Sequence, residues 1–375
     1  MSRLNLCPMQ ESKSTSTTVV LGTVPPPMGG AAKNNRIVFE ALRRSSSNEV
    51  ILIDTSIGDL AHCRSARYYL RKLTNFVSSL KRLMVCGTGQ EKKLYIVPDG
   101  GWGLWISVCY VAVARLRGFE IYQHHRTFAY VDTWALSMRI LTWVARATSC
   151  HVFLSDGMSR KFCQKYGEIQ DKLICSNARF VEPQSPEFGN AKSSPIRLGY
   201  LSNLCREKGV YDVIEAFEAI AGNDESVSLV IAGKAVTQKV ANDVADFKSR
   251  WKHRVKLLGH VEGQEKADFY ANIDVFLFPT RFRQEAQPNV IFEAMSYGAC
   301  CISVRRACIP EMYDSDAGII VDDIDSYVPA VCDFVSRVQH MPSTLAEFKQ
   351  AAYRTVQAKR LLALGQFETM IRRLV

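Results

Sequence analysis

Residues 279–298 read PTRFRQEAQPNVIFEAMSYG, a loop carrying one carboxylate, Glu285, followed by a short helix carrying a second, Glu293. Pro288 suits the first helical position, where a missing N–H costs nothing. Gly298 suits the position just past the end, so the pattern predicts a helix from Pro288 to about Tyr297. The amides of Asn289, Val290 and Ile291 then lack helical acceptors and stand at the positive end of the helix dipole, an arrangement that binds phosphate. Glu293 falls about 7 Å further along the axis, where a sugar attached to such a phosphate would present hydroxyls. An amphipathic helix with a solvated glutamate fits the same residues.

The chain has 375 residues, 47% of them hydrophobic and only 13 of them proline, enough to bury one or two cores, and two is the better expectation. No apolar run reaches membrane-spanning length. The start, MSRLNLCPMQESKSTSTT, lacks the apolar centre of a signal peptide, and residues 1–15 read as disordered. The 12 cysteines are scattered with no CxxC pair, and Cys109, Cys301 and Cys332 lie in apolar segments. That usage fits buried free thiols in a reducing cytoplasm.

A formal charge of +10 calls for an acidic partner. Nucleic acid is excluded as that partner, because no basic run interleaves with aromatics and no helix-turn-helix or zinc spacing occurs. From Arg64 to Leu83, in a helix expected from about Ser65, Arg64, Arg67, Arg71, Lys72, Lys81 and Arg82 flank Tyr68, Tyr69, Leu70, Leu73, Phe76, Val77 and Leu80 at helical spacing. Such a helix either rests on an anionic membrane surface, making the protein peripheral on the cytoplasmic face, or turns its apolar side to the core.

In chain order, a strand at Thr18–Thr23 leads to the Gly29-Gly30 turn and a helix from about Lys33 to Arg43, the opening of a nucleotide-binding α/β unit. Strands follow at 50–53, 94–97 and 120–124 with helices between them, so the sheet is parallel. The second of these ends in Pro98-Asp-Gly-Gly-Trp-Gly103, the third in His124-His125-Arg126, which could bind an anionic or hydroxylated substrate. A helix at 133–148, a strand at 151–155, a helix at 157–166 and a strand ending at Cys175 complete a first domain, 16–182. Residues 181–195 are polar and proline-rich, a domain boundary. The pattern then restarts. Strands at 196–201, 228–232, 255–258 and 275–278 alternate with helices at 209–221 and 263–272, giving a second domain at 183–345. Residues 346–375 form a helical tail expected to pack back on the first domain.

The succession Gly199-Tyr-Leu-Ser-Asn-Leu-Cys-Arg-Glu-Lys208-Gly209, Ile231-Ala-Gly233, Leu258-Gly-His-Val261, Phe278-Pro-Thr280, Glu285 and, eight positions on, Glu293-Ala-Met resembles the donor half of the retaining glycosyltransferases of family four, among the glycosyl transferases group 1. The Gly-Gly loop and the strand-end histidines resemble that family's acceptor half. The resemblance implies an α/β fold of GT-B type, with two Rossmann-like domains facing each other across a cleft. It implies transfer of a sugar from a nucleotide-diphosphate sugar to a glycan or lipid-linked acceptor, as in cell-surface polysaccharide or lipopolysaccharide biosynthesis. A sugar-nucleotide epimerase of the same fold and a non-catalytic partner subunit are the alternatives.

The resemblance also distributes roles. Lys208, helped by Arg206, neutralises the diphosphate leaving group, and the amides of Asn289 and Val290, after Pro288, share that charge. Glu293 takes the ribose hydroxyls, and Glu285, followed by Ala286, holds the transferred sugar. Gly233, Lys234 and Val261 surround the base. Gly29 and Gly30 bring backbone to the donor, and His124 or His125 touches the sugar, so that Glu285, Lys208, His124 and His125 form the catalytic set. No metal and no cofactor beyond the nucleotide sugar is implied. Three positions depart from the family pattern. Tyr200 follows the strand-end glycine where arginine is common, leaving Asn203 or Arg206 to meet phosphate; Ala286 replaces glycine; and Asn177-Ala178 replaces Asn-Gly.

Overall fold

The computed structural model describes residues 16–26, 30–46, 48–57, 66–87, 89–146, 149–182, 184–186, 188, 195–222 and 225–375. Residues 1–15, Gly29 and Arg64 lie outside the described residues. The chain forms two parallel sheets of six strands each, with order β2-β1-β3-β4-β5-β6 in the first and β12-β11-β10-β7-β8-β9 in the second.

The first sheet contains β1 (Ser16–Gly22), β2 (Glu49–Asp54), β3 (Glu91–Ile96), β4 (Glu120–His124), β5 (Ser149–Phe153) and β6 (Lys172–Ile174). Its helices are α1 (Gly30–Ser45), α2 (Ala66–Val85), α3 (Gly103–Leu116), the single turn α4 (Ala129–Asp132), α5 (Leu136–Ala145) and α6 (Asp156–Tyr166). The expected helix at 133–148 starts later, because Thr133 and Ala135 are extended. In the second sheet β7 (Ile196–Leu201), β8 (Val227–Ala232), β9 (Val255–Gly259) and β10 (Val275–Phe278) are followed by β11 (Cys300–Val304) and β12 (Gly318–Val321). With them go α7 (Val210–Ala221), α8 (Gln238–Arg250), α9 (Gly263–Ala271), α10 (Asn289–Ser296) and α11 (Tyr327–His340). All four residues of β10, VFLF, are buried, as befits a central parallel strand covered on both faces.

Strand order decides where a ligand can sit. From β7 the chain winds outward through β8 and β9, then returns to β10 on the other side of β7 and winds away through β11 and β12. The reversal opens a crevice at the carboxyl ends of β7 and β10, where open α/β sheets bind ligands. In the first sheet the corresponding reversal lies between β1 and β3.

The last helix, α12 (Pro342–Leu374), is 33 residues long and runs from one domain to the other. Near its start Lys349 pairs with Asp274 at 2.7 Å, and midway Arg360 donates to the Val181 carbonyl at 2.6 Å. At its end Arg373 makes two hydrogen bonds to Asp171, at 2.8 and 2.5 Å, and Met370, Ile371 and Leu374 are buried with Val20, Tyr122 and Val152 of the first sheet.

The second half of α2 takes the core-facing alternative, with Phe76 and Leu80 packed against the first-domain core beside buried Leu83, and the first half does not. Of its residues only Ser79 and Leu83 are buried, while Tyr69, Leu70, Leu73 and Val77 are exposed beside Arg67, Arg71 and Lys81. Trp102 and Trp105, at the start of the neighbouring α3, are exposed as well. Cys109 of α3 is likewise exposed, contrary to its expected burial, because it lies on the solvent side of that helix; the described cysteines are all free thiols. No described helix is long and apolar enough to cross a membrane.

The tie between α12 and the first domain carries a pH signature. Arg373 holds Asp171 below the ordinary carboxylate range, mainly by hydrogen bonding. A carboxylate depressed in the folded state stabilises it above the unfolded pKa, and that contribution disappears as pH falls through the folded value. Both side chains are about two-fifths exposed, at 35% and 42%, so screening limits the effect to no more than about 1 kcal/mol. Urea unfolding of Arg373→Ala should therefore show a lower midpoint than the native chain at pH 7. The gap should close progressively below about pH 4, where an ordinary aspartate protonates; a gap unchanged by pH would mean that Arg373 acts through packing alone.

Candidate functional site

The crevice between β7 and β10 is lined by the two loops that leave those strands. After β7 the chain passes through Ser202 and Leu204, which hydrogen-bond to the carbonyls of Ala232 and Lys234, and reaches a tight turn at Arg206–Lys208. Lys208 Nζ lies 2.6 Å from Oε2 of Glu285 and 4.4 Å from the centre of the Phe282 ring. Thr280 donates to the same carboxylate oxygen at 3.4 Å. The structure thus brings together Lys208 and Glu285, 77 residues apart in sequence.

Tyr200 does not leave a gap in this arrangement. Its ring is fully buried and its hydroxyl donates to the Lys208 carbonyl at 3.0 Å, so the residue that departs from the family pattern fixes the lysine's backbone. Asn203 and Arg206 are exposed, the latter stacked over Tyr211 at 5.0 Å.

Helix α10 begins one residue later than expected. Pro288 has φ −69° and ψ 116°, an extended conformation, and caps the helix; its carbonyl accepts from Ile291 N at 3.3 Å. Only the amides of Asn289 and Val290 are thus left without main-chain acceptors, not three. The reason lies in Gln287, whose side chain is tied to the first domain. Its Oε1 accepts from Asn177 N at 2.6 Å and Ser176 Oγ at 3.1 Å, and its carbonyl accepts from Asn177 Nδ2 at 2.8 Å.

Glu293, one turn into α10, accepts from the Tyr270 hydroxyl at 2.8 Å and pairs with Lys266 at 2.7 Å. Both contacts use Oε2. Glu285 is likewise bonded only through Oε2, so each carboxylate keeps Oε1 for another partner. Lys266 and Tyr270 were missed in the sequence, although they occupy successive turns of α9 and so share a face.

The remaining expected residues divide. Lys234 is exposed beside Gly233, whose amide donates to the Gly259 carbonyl at 2.6 Å. The side chain of Val261 is buried with Ala232 and Phe269 in the second-domain core. Ala286 is also buried, packed into the first-domain core with its carbonyl accepting from Cys308 N at 3.0 Å, and serves the domain interface. Gly30 opens α1; Gly29 is outside the described residues.

The histidines require a correction. His125 is fully buried, with Nδ1 3.0 Å from the Tyr130 hydroxyl, Nε2 2.9 Å from Nδ1 of His151, and its ring stacked on Phe153 at 4.7 Å. Both nitrogens are engaged, so it has nothing to offer a sugar. Burial, then the neighbouring His151, drives its pKa well below the ordinary histidine value and keeps it neutral. His124 is equally buried, with Nδ1 2.6 Å from the Tyr95 hydroxyl, but its Nε2 has no partner.

The domains are joined around this crevice. Glu311 accepts from Ser155 Oγ at 2.7 Å and from Gly157 N at 3.0 Å, capping α6 from across the interface; a Cβ on Gly157 would stand 2.1 Å from the carboxylate. Arg306 pairs with Asp132 at 3.0 Å, and Arg283 donates to Thr133 at 2.7 Å. Between these ties a cavity of about 570 Å³ is lined by Gly101, Tyr130 and Trp134 on one side and Glu207, Arg281 and Phe282 on the other. A larger hollow of about 850 Å³, beside Arg139, Trp143 and Asp171, lies at the amino edge of the first sheet, away from this crevice. Among the described residues no cluster of three or more His, Cys, Asp and Glu could hold a metal ion. Of the two Asp-x-Asp triplets, the one at Asp323–Asp325 closes a turn by accepting from the Asp325 amide.

Two parallel Rossmann-like sheets, with a cation and two carboxylates at a switch point of the second, define an α/β protein of two facing domains. Residues 195–337 match the family model described as glycosyl transferases group 1. The second domain is thus a group 1 glycosyltransferase domain. Relatives include the capsular polysaccharide biosynthesis glycosyltransferase CapM of Staphylococcus aureus, 26% identical over 129 residues, which are 34% of this chain and 33% of CapM. The phosphatidylinositol N-acetylglucosaminyltransferase gpi3 subunit of Schizosaccharomyces pombe is 23% identical over 222 residues, 57% of this chain and 48% of that protein. These matches thus span a third and about half of the two relatives. The crystal structure of Anabaena Alr3699/HepE with UDP superposes with a TM-score of 0.68 at 14% identity, covering 96% of this chain and 99% of that one; the same protein has been solved with UDP-glucose. The described residues have the GT-B fold that the sequence implies.

Proposed function

We propose that the protein is a retaining glycosyltransferase that moves a sugar from a nucleotide-diphosphate sugar to a glycan or lipid-linked acceptor in the assembly of a surface polysaccharide or lipopolysaccharide. One observation carries this reading: Lys208 meets Glu285 at the switch point of a group 1 domain, and the helix that follows Glu285 opens with the unpaired amides of Asn289 and Val290. The relatives named for capsule and glycolipid synthesis, and the neighbour solved with UDP and UDP-glucose, support the donor and acceptor classes.

On this reading the diphosphate lies between Lys208 and the start of α10, with Arg206 swinging from Tyr211 to assist. As the glycosidic bond to phosphate breaks, charge grows on the leaving oxygen where a fixed cation and two amides already point, which lowers the barrier. The departing phosphate oxygen takes the acceptor's proton on the same face. Neither glutamate is then needed as a nucleophile, and the pair is not a hydrolase dyad. Glu285 uses its open oxygen on hydroxyls of the sugar, Glu293 on those of the ribose, and the cavity beside Trp134 admits the acceptor. The charge is met without a metal, so turnover should persist in EDTA. The exposed apolar and basic side of α2, with Trp102 and Trp105, rests on anionic lipid, each basic residue adding about 1 kcal/mol near the surface.

Incubation with a panel of nucleotide sugars should release free nucleoside diphosphate in the presence of acceptor; no release from any of them would overturn the reading, and interconversion of the sugar without release would indicate an epimerase. Lys208→Ala should lower kcat about 10²-fold or more as well as weaken donor binding. Glu293→Gln should weaken nucleoside diphosphate binding by about 1.5–3 kcal/mol, the worth of a charged hydrogen bond. Glu285→Gln should slow transfer without weakening that binding. Equal losses of nucleotide affinity in the two glutamate variants would mean that their roles are misassigned. The membrane contact is checked by flotation: the protein should rise with anionic vesicles and stay behind with neutral ones, and Leu70→Ser with Leu73→Ser should reduce the anionic fraction. Equal behaviour with both vesicle types contradicts it.

A further inference from the structure

A second group of charges lies at the carboxyl edge of the first sheet. Asn34 of α1, Tyr95 of β3, His124 at the end of β4, Arg126 just beyond it, and Arg179 of the turn after β6 form one connected network. Arg126 Nη1 donates to Oδ1 of Asn34 at 3.2 Å, and Arg179 Nη2 donates to the same oxygen. That fixes the amide, whose Nδ2 donates to the Tyr95 hydroxyl at 2.8 Å. Having accepted there, the phenol gives its own hydrogen to Nδ1 of His124 at 2.6 Å. The proton of the neutral imidazole therefore sits on Nε2, a fully buried donor with no acceptor among the described residues. Arg179, only 8% exposed, has a second such donor in its Nε.

Neither guanidinium belongs to any ion pair among the described residues; both instead lie over the Phe180 ring, at 5.7 and 4.2 Å. Burial, and next the charge of Arg179, pulls the pKa of Arg126 down to about 10. Arg179 also donates through Nη1 to the carbonyls of Cys175 at 3.3 Å and Ser176 at 2.9 Å, so every acceptor around the pair is neutral. Buried charges are ordinarily paired, and neutral acceptors leave the repulsion between two like charges unrelieved. The charge, geometry and orphan donors all ask for a doubly charged acceptor with several oxygens, which is the chemistry of a phosphate group. Its position is also suggestive: Asn177, two residues before Arg179, is bonded to Gln287 at the approach to α10.

We infer that Arg126, Arg179 and Nε2 of His124 form a phosphate-binding site of the first domain, and that it takes a phosphate carried by the acceptor. The second part rests on the transferase reading above, in which the donor's diphosphate is met by Lys208 and α10 on the other domain. The site gives a use to the cationic end of His124-His125-Arg126 that the donor chemistry leaves unexplained.

The test is the melting temperature of the full chain in inorganic phosphate, with sodium chloride of matched ionic strength as control, with and without saturating UDP. The native chain should melt higher in phosphate than in chloride, and UDP should leave that increment intact. Arg126→Gln should need at least ten times more phosphate for the same shift, Arg126→Lys should keep part of the response, and in phosphate-free buffer Arg126→Gln should melt no lower than the native chain. Competition then assigns the source: stronger displacement of phosphate by short-chain phosphatidic acid than by glycerol phosphate indicates a lipid-borne group, and equal displacement a soluble one. No phosphate-specific shift, or a shift untouched by Arg126→Gln, overturns the site. Loss of the shift under UDP overturns its assignment to the acceptor, and a markedly lower melting temperature of Arg126→Gln without phosphate makes the pair structural. UDP binding without a phosphate shift would defeat this inference and leave the donor reading standing; a phosphate shift without UDP binding would defeat the donor reading and leave the phosphate site without its assignment to the acceptor.

Discussion

The loop after β7 can carry Lys208 to Glu285 only because residue 209 has no side chain. Gly209 sits at φ 85°, and a Cβ on it would lie 2.3 Å from the Pro279 carbonyl oxygen. A left-handed residue pressed against the exit of β10 is what brings the two switch-point loops together. Around that contact, Tyr200 fixes the lysine from below, Phe282 covers it, and Thr280 shares the carboxylate. The lysine–carboxylate pair is half of a site: each member is held by the other, and a diphosphate with more charge than one carboxylate can compete for the cation.

The fold was legible in the sequence because its strands are short apolar runs between turn residues, and parallel strands buried on both faces are what such runs make. VFLF at 275–278 and SLVIA at 228–232 could scarcely be anything else. The sequence pattern alone assigns no element to residues 299–343. There β11, β12 and α11 follow one another through polar turns such as Asp322-Asp323, and their pattern becomes clear only once β10 supplies an edge for β11 to join. Placement of α10 missed by one residue for a tertiary reason, since Gln287 is anchored by Asn177 across the interface and pulls Pro288 into an extended conformation.

The site was legible to the extent that its residues lie at strand ends. Lys208 and Glu285 follow β7 and β10, and strand ends are where a parallel sheet offers groups to a ligand. The histidines also lie at a strand end, yet β4 is central to its sheet and the aromatic rings of Tyr130, Phe153 and Phe162 close over His125. No local pattern distinguishes an open strand end from a roofed one. Arg179 was invisible for a related reason: its meaning depends on Arg126, 53 residues earlier and on a different turn, and on the shared oxygen of Asn34.

The central claim is that a nucleoside diphosphate binds between the Arg206–Lys208 turn and the first turn of α10. Hydrogen–deuterium exchange of the full chain with and without UDP tests it most directly, because the amides of Asn289 and Val290 have no main-chain acceptor until an anion supplies one. The account predicts that UDP slows exchange in peptides covering 206–210 and 288–291 while leaving the amino edge of the first sheet, around 167–171, unchanged. Protection confined to the hollow beside Trp143, or none at α10, would contradict it.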